Sequence, residues 1–186
     1  VFGLRHLSDA QAIDQSAKEA ENIVIIGSGL VGLDAAYGLM ETGKNVSIVE
    51  MADRILPVQL DKTAAKEYQK RFESAGAKFY LGRKAAETKM DENGKITTVI
   101  LDNGEELKSD LIIVAAGVRS ATAGFETEEI IVDRGMKVDE FMQTGAKDVY
   151  AAGDVTGLSG IWPNAQKQGE TAALNMMGGR VPYTDR

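Results

Sequence analysis

The 186-residue sequence predicts an α/β fold, in which a parallel sheet carries an inserted three-stranded antiparallel meander. Three observations predict it. Short apolar runs alternate with helix-forming stretches over residues 22–81, which is the β-α-β-α-β order of a parallel sheet. Asn-Gly pairs at 93–94 and 103–104 then separate three short strands, and Asn-Gly is typical of hairpins because both residues tolerate positive φ. An apolar strand over 110–115 returns to the sheet.

A glycine motif lies between the first strand and the first helix of this pattern. The β-branched run at 22–26 predicts a buried strand, and Gly27, Gly29 and Gly32 follow it at the spacing G-x-G-x-x-G. In a dinucleotide-binding unit Gly27 permits the turn, Gly29 lets the backbone approach a pyrophosphate, and Gly32 lets the helix pack on the sheet. The free N–H groups at the helix N-terminus would then bind phosphate oxygens.

Glu50 ends the second predicted strand, Val46–Val49. A carboxylate at this point can accept hydrogen bonds from both hydroxyls of an adenosine ribose, and it would repel a 2′-phosphate. Met51 and Ala52 supply no cation that would reverse this repulsion, and Arg54 is the cation that follows them. The pattern therefore favours NAD(H) over NADP(H).

Composition restricts the partners. The net charge of −7 argues against nucleic acid or an anionic membrane surface, and no apolar stretch is long enough to span a bilayer. The absence of cysteine excludes disulfides, thiolate metal sites and a dithiol within this chain, and it fits a reducing, cytoplasmic location. The one histidine, His6, has no neighbours that would form a triad or a metal site. We therefore expect neither a catalytic acid–base residue nor a metal.

Further elements are predicted on either side of the glycine motif. A polar helix is expected over 8–21, and Asp61 is expected to cap a helix that ends near Ser74. Residues 118–130 are expected to be irregular and 131–138 to form a hairpin. A strand over 149–154 should lead into a sharp turn, followed by a helix over 163–177 with a proline in its first turn.

Three stretches in this order resemble the pyridine nucleotide–disulfide oxidoreductase family, whose members are reductases with two dinucleotide folds, for FAD and for NAD(P)H. The stretches are 25–36 together with Val49-Glu50, then Ala115-Ala116-Gly117-Val118-Arg119, then 149–155. Residues 161–169 are most similar to the branch that contains NADH–rubredoxin reductases and the large subunit of NADH-dependent nitrite reductases.

The resemblance implies a chain that binds NADH so that hydride passes to FAD and on to an electron acceptor. Rubredoxin, the sirohaem part of a nitrite reductase, a ferredoxin, a quinone and oxygen are all compatible acceptors. Asp154 would bind a ribityl hydroxyl of FAD, Gly153 would lie against its phosphate-ribityl chain, and Asp34 stands where the family usually has a glutamate, toward the nicotinamide. The cofactor-binding residues expected from the motifs and the resemblance together are Gly27, Ser28, Gly29, Leu30, Val31, Gly32, Asp34, Glu50, Met51, Arg54, Ala116, Gly117, Gly153 and Asp154.

Nothing before Asn22 resembles the first flavin motif of the family, so the chain is similar to a fragment that lacks the N-terminal FAD half. The expected organisation is a linker with a helix at 1–20, a Rossmann-like NAD(H)-binding domain at 21–120, and the C-terminal part of a FAD-binding domain at 121–186. We expect the isolated chain to bind NAD(H) without FAD, to be inactive as a reductase, and to form a homodimer or larger species through an uncovered apolar face.

Two other functional classes remain open. A stand-alone NAD-binding or redox-sensing module would need no flavin, but such a module has no use for Gly153-Asp154 and the helix that follows. A methyltransferase could use the same glycine turn for S-adenosylmethionine, but the inserted meander argues against it.

Overall fold

The chain forms two compact units in the computed structural model, which describes residues 1–125 and 127–184. The first unit spans Val1–Gly117 and the second spans Val118–Arg186. The first is built on a five-stranded parallel sheet, with strands β1 (Phe2–Gly3), β2 (Asn22–Ile26), β3 (Asn45–Glu50), β4 (Lys78–Leu81) and β8 (Leu111–Val114). The strands lie in the order β1-β8-β2-β3-β4.

Three helices cover one face of this sheet. They are α1 (Leu7–Ala17), α2 (Leu30–Glu41) and α3 (Lys62–Ser74). Alternate residues of a strand point to opposite faces, so Ile23 and Ile25 of β2 pack with the helices while Val24 faces the other way. Asp61 caps α3 as predicted, because its Oδ1 accepts a hydrogen bond of 2.8 Å from the Ala64 N–H.

The predicted meander covers the opposite face of the sheet. It consists of β5 (Ala85–Met90), β6 (Ile96–Leu101) and β7 (Glu106–Lys108), paired antiparallel in that order. Gly94 and Gly104 have φ of +76° and +83° in the two turns, whereas Asn93 and Asn103 do not have positive φ, so only the glycine of each Asn-Gly pair takes the expected conformation. The core between the two layers is formed by buried residues from both, namely Val24, Val49, Val99, Leu101, Leu107 and Ile112. The predicted α/β class with an inserted meander is confirmed.

The start of the chain differs from the prediction. Phe2 and Gly3 form a short edge strand parallel to β8, which the sequence pattern did not indicate because two residues show no periodicity. The helix predicted at 8–21 ends at Ala17, and its Ile13 and Ala17 are buried in the core of the first unit.

The second unit contains one long helix, α4 (Trp162–Met176), with a proline in its first turn as predicted. The predicted strand at 149–154 is wrong. Tyr150 makes only an isolated bridge to Gln143, and Gly153–Thr156 form a 3₁₀ helix. The hairpin predicted at 131–138 is likewise reduced to one bridge. Residue 126, in the segment predicted to be irregular, and residues 185–186, in the predicted 121–186 segment, lie outside the described residues.

A strand needs a paired neighbour, and a local apolar pattern cannot supply one. Within the described part of the second unit no segment pairs beyond these single bridges. Its core is correspondingly small and contains Met142, Ala172 and Tyr183.

Candidate nucleotide-binding site

Two of the three glycines in the turn after β2, Gly27 and Gly32, have no room for a side chain. Gly27 has φ of +107°, and a Cβ built on it would lie 2.4 Å from the Ala115 carbonyl oxygen. A Cβ on Gly32 would lie 2.1 Å from the Gly27 carbonyl oxygen. Real atoms do not approach so closely, so both positions need glycine for the fold itself.

Gly29 differs from both of these glycines. It has φ of −71°, and a Cβ built on it would meet nothing within 4 Å. The fold therefore does not require glycine at this position, and the space beside it stays open. Gly29 is also the N-cap of α2, where no side chain caps the helix. The N–H groups of the first turn are thus available beside that space, which fits a pyrophosphate group.

Two exposed apolar residues, Leu30 and Val31, begin α2 with exposed fractions of 58% and 47%. They leave the helix N-terminus uncovered by protein, as a cofactor site at this point requires. Asp34, one turn further along α2, is also exposed and makes no side-chain hydrogen bond within the described residues. The carboxylate of Asp34 is therefore available to bind a ligand.

Glu50 joins the end of β3 to the glycine turn. Its Oε2 accepts hydrogen bonds from the Ser28 N–H at 2.9 Å and the Ser28 hydroxyl at 2.8 Å. Its Oε1 accepts one from the Ala52 N–H at 2.8 Å. Ser28 is fully buried, so this link is fixed in place. Each carboxylate oxygen has two acceptor positions, and Oε1 therefore retains capacity for a ribose hydroxyl.

Arg54 is held within the loop after β3. Its guanidinium donates three hydrogen bonds, from Nε to the Leu60 carbonyl at 3.1 Å, from Nη2 to the Pro57 carbonyl at 2.9 Å and from Nη1 to the Asp53 carboxylate at 2.9 Å. Lys62 and then Arg54 hold the pKa of Asp53 below its ordinary value. Arg54 thus stabilises the loop, and each of its three guanidinium nitrogens already donates a hydrogen bond there.

The end of β8 lies beside the glycine turn, as expected for the carboxyl edge of a parallel sheet. The Ala115 N–H donates to the Ile26 carbonyl at 2.8 Å. The Cβ position built on Gly27 lies 3.1 Å from the Ala116 nitrogen. Gly117 then turns the chain with φ of +87°. Met51, at the end of β3, is 67% exposed. The structure therefore gathers the site residues predicted in the first unit along one edge of its sheet.

Gly153 and Asp154 belong to the second unit. Gly153 has φ of +80°, and its N–H donates a hydrogen bond of 2.7 Å to Oε1 of the fully buried Gln168. The Ser120 hydroxyl donates to the Asp154 carbonyl at 2.6 Å. The carboxylate of Asp154 is exposed and accepts no hydrogen bond within the described residues. The sharp turn is therefore fixed by buried contacts, while its carboxylate remains available to a ligand.

One cation near Glu50 was missed by the sequence analysis. Arg83 follows β4, and its N–H donates a hydrogen bond of 3.0 Å to the Glu50 carbonyl oxygen. The two residues are far apart in sequence, and only the register that pairs Glu50 with Leu81 brings them together. The alternation of strands and helices predicts that β3 and β4 share a sheet, and that signal could have pointed to Arg83.

Neither a metal centre nor a membrane span is found in the part of the chain that the structure describes. Residues 1–125 and 127–184 contain no group of three or more His, Cys, Asp or Glu side chains placed to hold a metal ion. None of the helices in these ranges is both long enough and apolar enough to cross a bilayer.

The comparison with protein families agrees with this geometry. The model described as "Pyridine nucleotide-disulphide oxidoreductase" matches residues 1–169. The chain belongs to this family. It is 31% identical to the nitrite reductase [NAD(P)H] of Bacillus subtilis (strain 168) over 161 residues, which cover 87% of the chain and 20% of that protein. It is 30% identical to the rubredoxin-NAD(+) reductase of Pseudomonas putida over 151 residues, which cover 81% of the chain and 39% of that protein.

A solved structure shows the same fold. The ferredoxin reductase for the CYP199A2 system from Rhodopseudomonas palustris matches with a TM-score of 0.87 and 25% identity, over 99% of this chain and 48% of that one. The family is named for a pyridine nucleotide, and the two relatives are named as NAD(P)H- and NAD(+)-linked reductases, which confirms the predicted family and the predicted class of oxidoreductase. The chain spans between 20% and 47% of the length of the curated relatives, which fits the prediction of a fragment.

Proposed function

We propose that this chain binds NADH along the edge of the first unit's sheet and positions its nicotinamide to deliver hydride to a flavin. The observation that carries the proposal is the contrast among the three glycines. Gly27 and Gly32 have no room for a Cβ, whereas the space beside Gly29 is open and faces the uncapped N-terminus of α2. Hydride transfer is the chemistry that the two cofactors supply, and the protein contributes binding, orientation and electrostatics.

The preference for NADH over NADPH follows from two side chains. Glu50 places a carboxylate at the end of β3, where it would accept a ribose hydroxyl and repel a 2′-phosphate. Arg54 does not offset this repulsion, because all three of its donor nitrogens are bound within its own loop.

Titration calorimetry with each nucleotide tests this proposal. We expect NADH to bind at least about tenfold more tightly than NADPH, which corresponds to about 1.4 kcal/mol. Glu50→Ala should narrow this gap, while Glu92→Ala, which removes an exposed carboxylate from a turn of the meander, should leave it unchanged. Equal affinities of the unsubstituted chain for both nucleotides would contradict the assigned preference.

The second unit supports a role in flavin binding in the full-length protein. Gln168 and Ser120 hold the turn at Gly153 and Asp154, and the Asp154 carboxylate is exposed and available to a ribityl hydroxyl. We propose that an N-terminal half, absent from this sequence, supplies most of the remaining FAD contacts. The electron acceptor would be a protein or small molecule of the kind that the relatives' names indicate, such as rubredoxin.

Absorbance and light scattering test the flavin proposal. The isolated 186-residue chain should purify without a flavin band and should form a dimer or larger species at high concentration. The full-length protein should carry FAD, and Asp154→Ala should weaken its retention. A yellow, monomeric, NADH-oxidising preparation of the 186-residue chain would overturn the proposed division of the flavin site.

A further inference from the structure

We propose that Arg83 determines how well this chain binds a nucleotide that carries a 2′-phosphate, and that it acts together with Glu50 to set cofactor specificity. This inference rests on the proposed function. Arg83 belongs neither to the glycine motif nor to the strand that ends at Glu50. It assigns the role of phosphate contact to a cation that follows β4 rather than to Arg54.

The backbone holds Arg83 beside the end of β3. Strands β3 and β4 are parallel neighbours whose pairing runs to Glu50 and Leu81, and two backbone hydrogen bonds then join the residues at and after these ends. The Gly82 N–H donates to the Ala52 carbonyl at 2.8 Å, and the Arg83 N–H donates to the Glu50 carbonyl at 3.0 Å. Neighbouring strands lie about 4.8 Å apart, so the side chain of Arg83 starts one strand spacing from Glu50.

The guanidinium of Arg83 is largely free to bind a ligand. Its one hydrogen bond within the described residues goes from Nη1 to the carbonyl of its neighbour Gly82, at 3.2 Å. It forms no ion pair with Glu50 or with another carboxylate in residues 1–125 and 127–184. Arg54, by contrast, uses all three nitrogens of its guanidinium within its loop.

A planar guanidinium with free donors matches the oxygens of a phosphate group. A ribose bound by Glu50 would place its 2′ substituent near that carboxylate, and Arg83 follows the strand next to it. The carboxylate of Glu50 repels a 2′-phosphate there, and the cation of Arg83 attracts it. The affinity for NADPH is then set by the balance of these two charges, while the affinity for NADH depends mainly on Glu50.

A double-mutant cycle tests this balance by titration calorimetry with NADH and NADPH. Arg83→Gln should weaken NADPH binding by about tenfold, as expected for a lost charged contact, and NADH binding by less than about threefold. Lys84→Gln is the matched control, because it removes a neighbouring exposed cation, and neither affinity should change by more than about twofold. Glu50→Ala should reduce the ratio of NADH affinity to NADPH affinity, because the repulsion of the 2′-phosphate is removed. Adding Arg83→Gln should increase this ratio again, because the attraction is removed as well.

Three outcomes for Arg83→Gln and Lys84→Gln would overturn the inference without contradicting the proposed function. NADPH affinity could be unchanged by Arg83→Gln, or NADH and NADPH could weaken equally, which would indicate contact with the shared part of the nucleotide. NADPH could also depend on Lys84 as strongly as on Arg83. If Arg83→Gln fails to fold, Arg83→Met replaces it, because it keeps an apolar stem and removes the charge, and unchanged NADPH affinity in that variant would likewise overturn the inference. A chain that binds neither nucleotide would overturn the proposed function itself, and this inference with it.

Discussion

The two units of this chain place their candidate cofactor contacts in different structural settings. In the first unit, β2, β3 and β8 end side by side, so the sheet itself positions the glycine turn, Glu50 and Ala116. In the second unit, the turn at Gly153 is held by side chains, chiefly the buried amide of Gln168. A site positioned by a sheet can be predicted from strand order, whereas a turn positioned by buried side chains depends on contacts that strand order does not show.

The largest expected effect on the free energy of unfolding is at Gly27 of the first unit, and Gly29 provides the comparison. Gly27→Ala should lower the free energy of unfolding by about 3 kcal/mol or more, because the new methyl group would overlap the Ala115 carbonyl and the backbone has positive φ. Gly29→Ala should lower the free energy of unfolding by only about 1 kcal/mol or less, which is the difference between glycine and alanine at an N-cap. Urea unfolding of both variants checks this contrast, and equal destabilisation would mean that the space beside Gly29 is not open.

A smaller effect is expected in the second unit. Gln168→Leu removes the acceptor of the buried Gly153 N–H, and an unsatisfied buried donor costs about 1–3 kcal/mol. Gln166→Leu is the control, because it changes an exposed glutamine on the same helix, where little change is expected. Thermal unfolding of the two variants compares them. A Gln168→Leu variant as stable as Gln166→Leu would show that the turn does not depend on this side chain.

Asp110 provides a pH-dependent test in the first unit. Burial raises the pKa of its carboxyl, but hydrogen bonds from the Asn22 N–H, the Asn22 side chain and the Glu21 N–H more than offset this and leave the pKa lowered. Because the pKa is lower in the folded chain, the ionised carboxylate stabilises the fold fully at pH values above the unfolded-state pKa, which is near 3.8. This contribution is lost as the pH falls through the lower folded-state pKa.

Asp110→Asn should therefore reduce the free energy of unfolding by about 1–2 kcal/mol at pH 7, and the difference from the unsubstituted chain should shrink below about pH 4. Asp102→Asn, in a turn of the meander, should show neither effect. Urea unfolding across this pH range measures both variants. A deficit for Asp110→Asn that stays constant down to pH 2 would contradict the assigned titration.

The same contrast between the units explains how much could be predicted from sequence. The glycine spacing, the alternation of strands and helices and the two Asn-Gly turns predicted the parallel sheet and the meander, because those features are encoded locally. The segment 149–154 has the composition of a strand, yet among residues 1–125 and 127–184 it makes only the bridge from Tyr150 to Gln143 and has no partner strand. The position of Arg83 beside Glu50 was not predicted for a related reason. It depends on the register of the sheet and not on any motif.

Calorimetric titration of Gly29→Val with NADH tests the central claim most directly. The added side chain enters the space assigned to the pyrophosphate, so we expect an affinity at least about 100-fold weaker than that of the unsubstituted chain. The variant should stay folded, because the added Cβ would meet nothing within 4 Å, and its melting temperature checks this. Gly38→Val, an exposed glycine later in α2 with equally open space, should bind NADH normally. If Gly29→Val folds and binds NADH as tightly as Gly38→Val does, the nucleotide does not occupy this site.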